Sequence, residues 1–131
     1  MNEIEEFLQS ETFGVVGASN NREKYGNKVL RAYLQNGMPA VPIHPSESSV
    51  EGQKAYASLA EAPAIEAISI ITPPRVTESI VETAIETGVK RIWMQPGAES
   101  QAAIDRAAEA GLQVIAGGPC ILVALRFREE E

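Results

Sequence analysis

Apolar residues in this chain fall into short unbroken runs, separated by stretches in which they recur every three or four positions. The runs read as buried strands and the stretches as amphipathic helices. Phe13–Gly17 is the first strand. A helix from about Gly26 to Asn36 follows, with Val29, Leu30, Tyr33 and Leu34 on one face and Gly37 as its stop. Ala40–Ile43 is the second strand, and Pro42 belongs at a strand end because it lacks a ladder donor. Ser46 to Ala62 reads mostly as loop, with a turn of helix at Ser58–Glu61.

Ala67–Ile71 is the third strand, and Pro73-Pro74 opens a helix carrying Val76, Ile80, Val81, Ala84 and Ile85. Arg91–Gln95 is a fourth strand, Ser100–Ala110 an alanine-rich helix, and Leu112–Ala116 a fifth strand. Ile121–Leu125 fits a helical turn or an edge strand equally well. Ile4, Phe7 and Leu8 suggest an amphipathic helix at the N-terminus. Such alternation predicts an α/β fold: a doubly wound, Rossmann-like, five-stranded parallel sheet in three α/β/α layers. The expected strand order is 3-2-1-4-5.

Composition narrows the picture. At 131 residues, 1–131 reads as a single domain. No apolar run approaches the roughly 20 residues that cross a bilayer, and the N-terminus is acidic where a signal peptide is basic. One cysteine, Cys120, permits no intrachain disulfide, so a cytoplasmic setting is expected. The net charge of −7 argues against broad nucleic-acid binding. Arg22, Lys24, Lys28 and Arg31 nevertheless cluster directly after the first strand. No partner protein is legible in the chain, and a homodimer or an unidentified partner both stay open.

In open α/β sheets, ligands bind beyond the carboxyl ends of the strands. That rule gathers Gly17-Ala18-Ser19, His44-Pro45, Thr72-Pro73-Pro74, Gln95-Pro96-Gly97 and Gly117-Gly118-Pro119-Cys120. The first of these is a phosphate-type turn leading into a helix N-terminus. It is not the dinucleotide fingerprint, because Ser19 and Arg22 stand where the second and third glycines belong. The second strand ends on His44-Pro45, where a NAD site places a ribose-binding carboxylate. No acidic partner lies beside His44, and one His with one Cys cannot fill a zinc sphere without unpatterned carboxylates. No catalytic residue and no metal ligand is assigned. Trp93 and Met94 read as core, and Cys120 as a small buried group or a thiol facing a ligand.

Gly14-Val15-Val16-Gly17-Ala18-Ser19, Lys24-Tyr25-Gly26-Asn27-Lys28-Val29, Val41-Pro42-Ile43-His44-Pro45, Trp93-Met94-Gln95-Pro96-Gly97 and Ala110-Gly111-Leu112 form an ordered set. Together they resemble the small prokaryotic CoA-binding proteins, stand-alone relatives of the CoA-binding domain of the succinyl-CoA synthetase alpha subunit. The resemblance runs from about Glu6 to Leu125 and implies a Rossmann-like domain whose cofactor is coenzyme A or an acyl-CoA. It places Gly17, Ala18 and Ser19 at the CoA phosphates, with Lys24 or Lys28 adding charge. It places Pro45 at the nucleotide end and Ile71, Thr72 and Pro73 along the adenosine–pantetheine path. Gln95, Pro96 and Gly97 then close the pocket, with Cys120 near it. Two segments depart from the small-protein pattern. Gly117-Gly118-Pro119 replaces an Asp-Arg pair before the cysteine, and Thr72-Pro73-Pro74 replaces an arginine and a polar residue. The synthetase's phosphorylated histidine lies in a separate domain, so ligase activity is not implied. The expected function is a binding or regulatory module without catalysis; the alternative is an NAD(P)-binding redox protein.

Overall fold

A computed structural model describes residues 2–129. Asn2 caps α1 (Glu3–Leu8) through a reciprocal capping box with Glu5. The remaining helices are α2 (Tyr25–Gln35), α3 (Pro74–Thr87), α4 (Gln101–Glu109) and α5 (Ile121–Ala124). The last settles the ambiguous Ile121–Leu125 run as a helical turn. Five strands form one parallel sheet: β1 (Phe13–Val16), β2 (Ala40–Ile43), β5 (Ala67–Ile70), β6 (Arg91–Met94) and β7 (Gln113–Ile115). Two two-residue strands, β3 (Ser49–Val50) and β4 (Gln53–Lys54), make a hairpin where loop was expected. Ser58–Glu61 is a hydrogen-bonded turn rather than a turn of α-helix.

Across the sheet the order is β2-β1-β5-β6-β7. Tyr56 adds a single parallel rung outside β2, bridging Ile43. Its N–H donates to Pro42 O at 3.1 Å, and its carbonyl accepts from His44 N at 2.9 Å. With this rung in the outermost place the sheet follows the expected 3-2-1-4-5 arrangement, with β7 added beyond it. The strand counted third in the sequence takes the fourth place, on the other side of β1. One rung is too short to leave an apolar run in the sequence.

Side chains alternate between the two faces of the sheet with period two. Phe13 and Val15 of β1, Ala67 of β5 and Trp93 of β6 face α1, α2 and α5. Val16, Ile68, Ile70, Ile92 and Met94 face α3 and α4. On the first face Trp93 meets Phe7 edge-on, with ring centroids 5.3 Å apart. The buried Tyr33 hydroxyl is satisfied by Ser69 Oγ at 2.8 Å. After α5 the chain turns at Arg126, whose φ is 54°, and lies back along α2. Phe127 sits beneath the Arg31 guanidinium, and Gln35 holds the Arg128 backbone through two bonds, at 2.7 and 3.0 Å.

Candidate functional site

The ladder continues past the strand ends and fixes the loops that follow. Gly17 N donates to Ile43 O at 3.1 Å, Ile71 N to Val16 O at 2.8 Å and Gln95 N to Ile70 O at 3.1 Å. Gly17 turns the chain with φ +101°, and a Cβ there would stand 2.1 Å from Ile71 O. A Cβ on Gly26 would stand 1.9 Å from Gly17 O. Gly26 therefore does for this turn what the third glycine does in a dinucleotide fingerprint: it lets the helix press against the strand end. Nothing in the fingerprint spacing marks Gly26 for this part, because it lies well beyond the third glycine position counted from Gly17.

The loop between β1 and α2 is held from within. Asn27 Nδ2, fully buried, donates to Ser19 O at 2.8 Å and Glu51 Oε2 at 3.0 Å. Arg31 Nε donates to Asn27 Oδ1 at 2.7 Å, and its Nη2 to Arg22 O at 2.9 Å. Arg22 pairs with Glu51 at 3.3 Å, and Asn21 N donates to Ser19 Oγ at 3.0 Å. So the basic cluster read from the sequence is largely spent on structure. Arg31 is buried, and Lys28 pairs with Glu129 at 2.8 Å, which with that bond lowers the Glu129 pKa. Lys24 stays exposed at the N-cap of α2, and its side chain makes no hydrogen bond or ion pair among the described residues, while its backbone N–H donates to Asn21 O at 3.0 Å. No side chain caps α2, and its first turn carries no acidic residue. Its leading N–H groups and the positive end of its dipole are left for an anion.

At the end of β2, His44 Nδ1 accepts from Ser46 N at 3.1 Å and Glu47 N at 3.2 Å. His44 thus serves as a turn-forming acceptor, and Pro45 beside it is exposed. Ile71 and Thr72 are half-buried and Pro73 exposed at the end of β5, where Thr72 Oγ1 bonds Thr77 Oγ1 at 2.8 Å. Pro96 and Gly97 are exposed after β6, and Gly97 N donates to Glu99 Oε1 at 2.8 Å.

Gln95, Tyr25 and Cys120 meet beside this loop. Gln95 is fully buried, and its Oε1 accepts from Tyr25 Oη at 3.0 Å and Ile121 N at 2.9 Å. Tyr25 Oη also bonds Cys120 Sγ. Burial, and then the Cys120 bond, raises the Tyr25 pKa above the usual phenol range, so this hydroxyl keeps its proton. Trp93 Nε1 donates to Pro119 O at 3.0 Å and holds the chain next to Cys120. The structure thus joins Gln95 to Cys120 through Tyr25, which no sequence pattern marks. Its place as the first residue of α2, beside Lys24, carries no signal that it reaches the end of β6.

The family described as the CoA binding domain matches residues 11–126. An uncharacterized protein of Bacillus subtilis, YneT, is 30% identical over 124 residues, covering 93% of this chain and 91% of that one. The alpha subunit of an ADP-forming acetate–CoA ligase II from Pyrococcus furiosus is 31% identical over 90 residues. That match covers 68% of this chain but 19% of the subunit. A solved conserved hypothetical protein from Pyrococcus furiosus superposes with a TM-score of 0.82 at 36% identity. It covers 87% of this chain and 98% of the other. This chain belongs to the CoA-binding domain family.

Proposed function

We propose that the chain binds coenzyme A or an acyl-CoA at the carboxyl edge of its sheet, as a binding or regulatory module without catalysis of its own. The observation that carries this reading is the uncapped, acid-free N-terminus of α2, drawn by Gly26 onto the Gly17 turn with Lys24 exposed beside it. Such a helix end takes a phosphate through backbone N–H groups and dipole together. Gly17, Ala18 and Ser19 would line the phosphates, with Lys24 adding charge. Lys28 would join them only by leaving Glu129.

Pro45, Ile71, Thr72 and Pro73 would border the nucleotide and the start of the pantetheine arm. Gln95, Pro96, Gly97 and Cys120 would receive its far end. An NAD(P) reading is disfavoured at the end of β2. There His44 occupies the carboxylate's place and engages the backbone of its own turn.

Calorimetry with CoA, dephospho-CoA, NAD and NADP tests the reading. Binding of CoA ahead of both nicotinamide cofactors is expected. Silence with CoA at about millimolar concentration, or a preference for NAD, overturns it. Gel filtration with and without CoA then separates a passive binder from a module whose output is a protein contact.

A further inference from the structure

Among the described residues, Gln95 Nε2 is the one buried side-chain nitrogen or oxygen without a hydrogen-bond partner. Its neighbours fix the amide's orientation. Ile121 N can only donate, so the amide atom facing it at 2.9 Å must be the oxygen. The Tyr25 hydroxyl gives its single proton to the same oxygen. Cys120 must then donate its S–H to Tyr25 Oη. Every proton in the network is thereby committed, the thiol is held as a donor, and the amide cannot flip. What remains is an NH₂ group with two hydrogens and no acceptor, in a protein where buried donors are ordinarily paired. An NH₂ held in this way is placed to donate to an oxygen brought by a ligand.

We propose that Gln95 Nε2 reads the thioester carbonyl of an acyl-CoA, so that the module distinguishes acylated from free CoA. This rests on the proposed CoA reading. With phosphates at the α2 N-terminus after β1, the pantetheine arm crosses β5 to reach β6, roughly 10 Å at two inter-strand spacings. The arm ends in the sulfur, and in an acyl-CoA the first atom beyond it carries a carbonyl oxygen. The Cys120–Tyr25 pair beside Gln95 is half-buried and offers that sulfur an uncharged wall. Nε2 itself shows almost no surface, so a carbonyl reaches it only as the strand-end loops part. Gly97 and Gly117, at φ +94° and +79° with nothing within 4 Å of a would-be Cβ, lie in those loops.

The test compares acetyl-CoA, free CoA and S-ethyl-CoA, a thioether of nearly the same shape that lacks the carbonyl. The wild-type protein is expected to bind acetyl-CoA about tenfold more tightly than S-ethyl-CoA, the share of one buried hydrogen bond. The ¹⁵N-labelled side-chain amide of Gln95 is expected to shift with acetyl-CoA and not with the thioether. Gln95→Met should bring the affinities for acetyl-CoA and S-ethyl-CoA within about threefold of each other. If that variant does not fold, the amide resonance of the wild-type protein decides.

Equal affinities with an unmoved amide resonance overturn the proposal, as does a folded Gln95→Met that still discriminates. An amide that shifts equally with free CoA overturns it too, and assigns Nε2 to an amide carbonyl of the pantetheine arm. In each of those outcomes CoA still binds, and the reading of the site survives. Absence of binding by all three ligands removes that reading and this proposal together.

Discussion

The two halves of the sheet's carboxyl edge are finished differently. From Gly17 to Arg31, polar side chains are consumed internally: Asn27 spans Ser19 and Glu51, and Arg31 ties Asn27 to the Arg22 carbonyl. From Gln95 to Ile121 a similar network stops one acceptor short. The contrast follows from what each half would meet. A phosphate is bound by backbone N–H groups, so the side chains there serve to hold the backbone still. On the proposed reading, a neutral acyl end would offer only a carbonyl oxygen and apolar surface, and the spare Gln95 amide would answer it.

Gly26→Ala attacks the rigid half most severely. Its methyl would stand 1.9 Å from Gly17 O, between two backbone segments that cannot both yield. A loss of about 3 kcal/mol in urea unfolding is expected; a loss under about 0.5 kcal/mol would show that the strand–helix contact is slack. Asn27→Ala comes next, at roughly 2 kcal/mol, because it removes the buried bonds that Asn27 makes to the Ser19 carbonyl and to Arg31 Nε together. Amide exchange across Asn20–Lys24 should quicken in that variant. Unchanged exchange would mean that the loop is held by something else.

Alkaline pH sharpens the contrast through two tyrosines. Burial raises the pKa of Tyr33, on the helix side, and of Tyr25, on the Gln95 side. Above about pH 10 the unfolded phenols ionise while the folded ones stay neutral. The folded state then binds more protons, and stability falls as pH rises, by at most about 1.4 kcal/mol per unit for each phenol. Tyr33 is fully enclosed and Tyr25 partly exposed, so Tyr33→Phe should flatten the alkaline limb more than Tyr25→Phe. The reverse order in a stability-versus-pH series would place Tyr25 in the tighter environment. The smallest effect belongs to Lys28→Gln. Its partner Glu129 is well exposed, so the change in stability should be the least of the series, and smaller still in high salt.

Much of this architecture is legible in the order of residues. Each of the five main strands is an apolar run, and each glycine stop falls where a helix ends. The β3–β4 hairpin is not legible. Its strands are two residues long, below any periodicity, and its only signal is the Glu51-Gly52 turn, with φ of 50° and 79°. The same brevity hid the Tyr56 rung. Within the site, the Gly17 turn and Gln95 are visible because they follow strands. Asn27 and Tyr25 are not, since a helix's first turn gives no hint of whether a side chain there faces its own loop or a strand end across the sheet.

The strap of chain from Arg126 to Arg128 has a practical use. Gln35 clasps its backbone while the Arg128 side chain points to solvent, so position 128 rides on α2 without taking part in its packing. A dye coupled to Arg128→Cys, in a protein whose Cys120 has been replaced by serine, would be anchored to the very helix proposed to meet the phosphates. The chain thus carries its own mounting point for an optical sensor, in which occupancy of α2 is reported by colour rather than by heat.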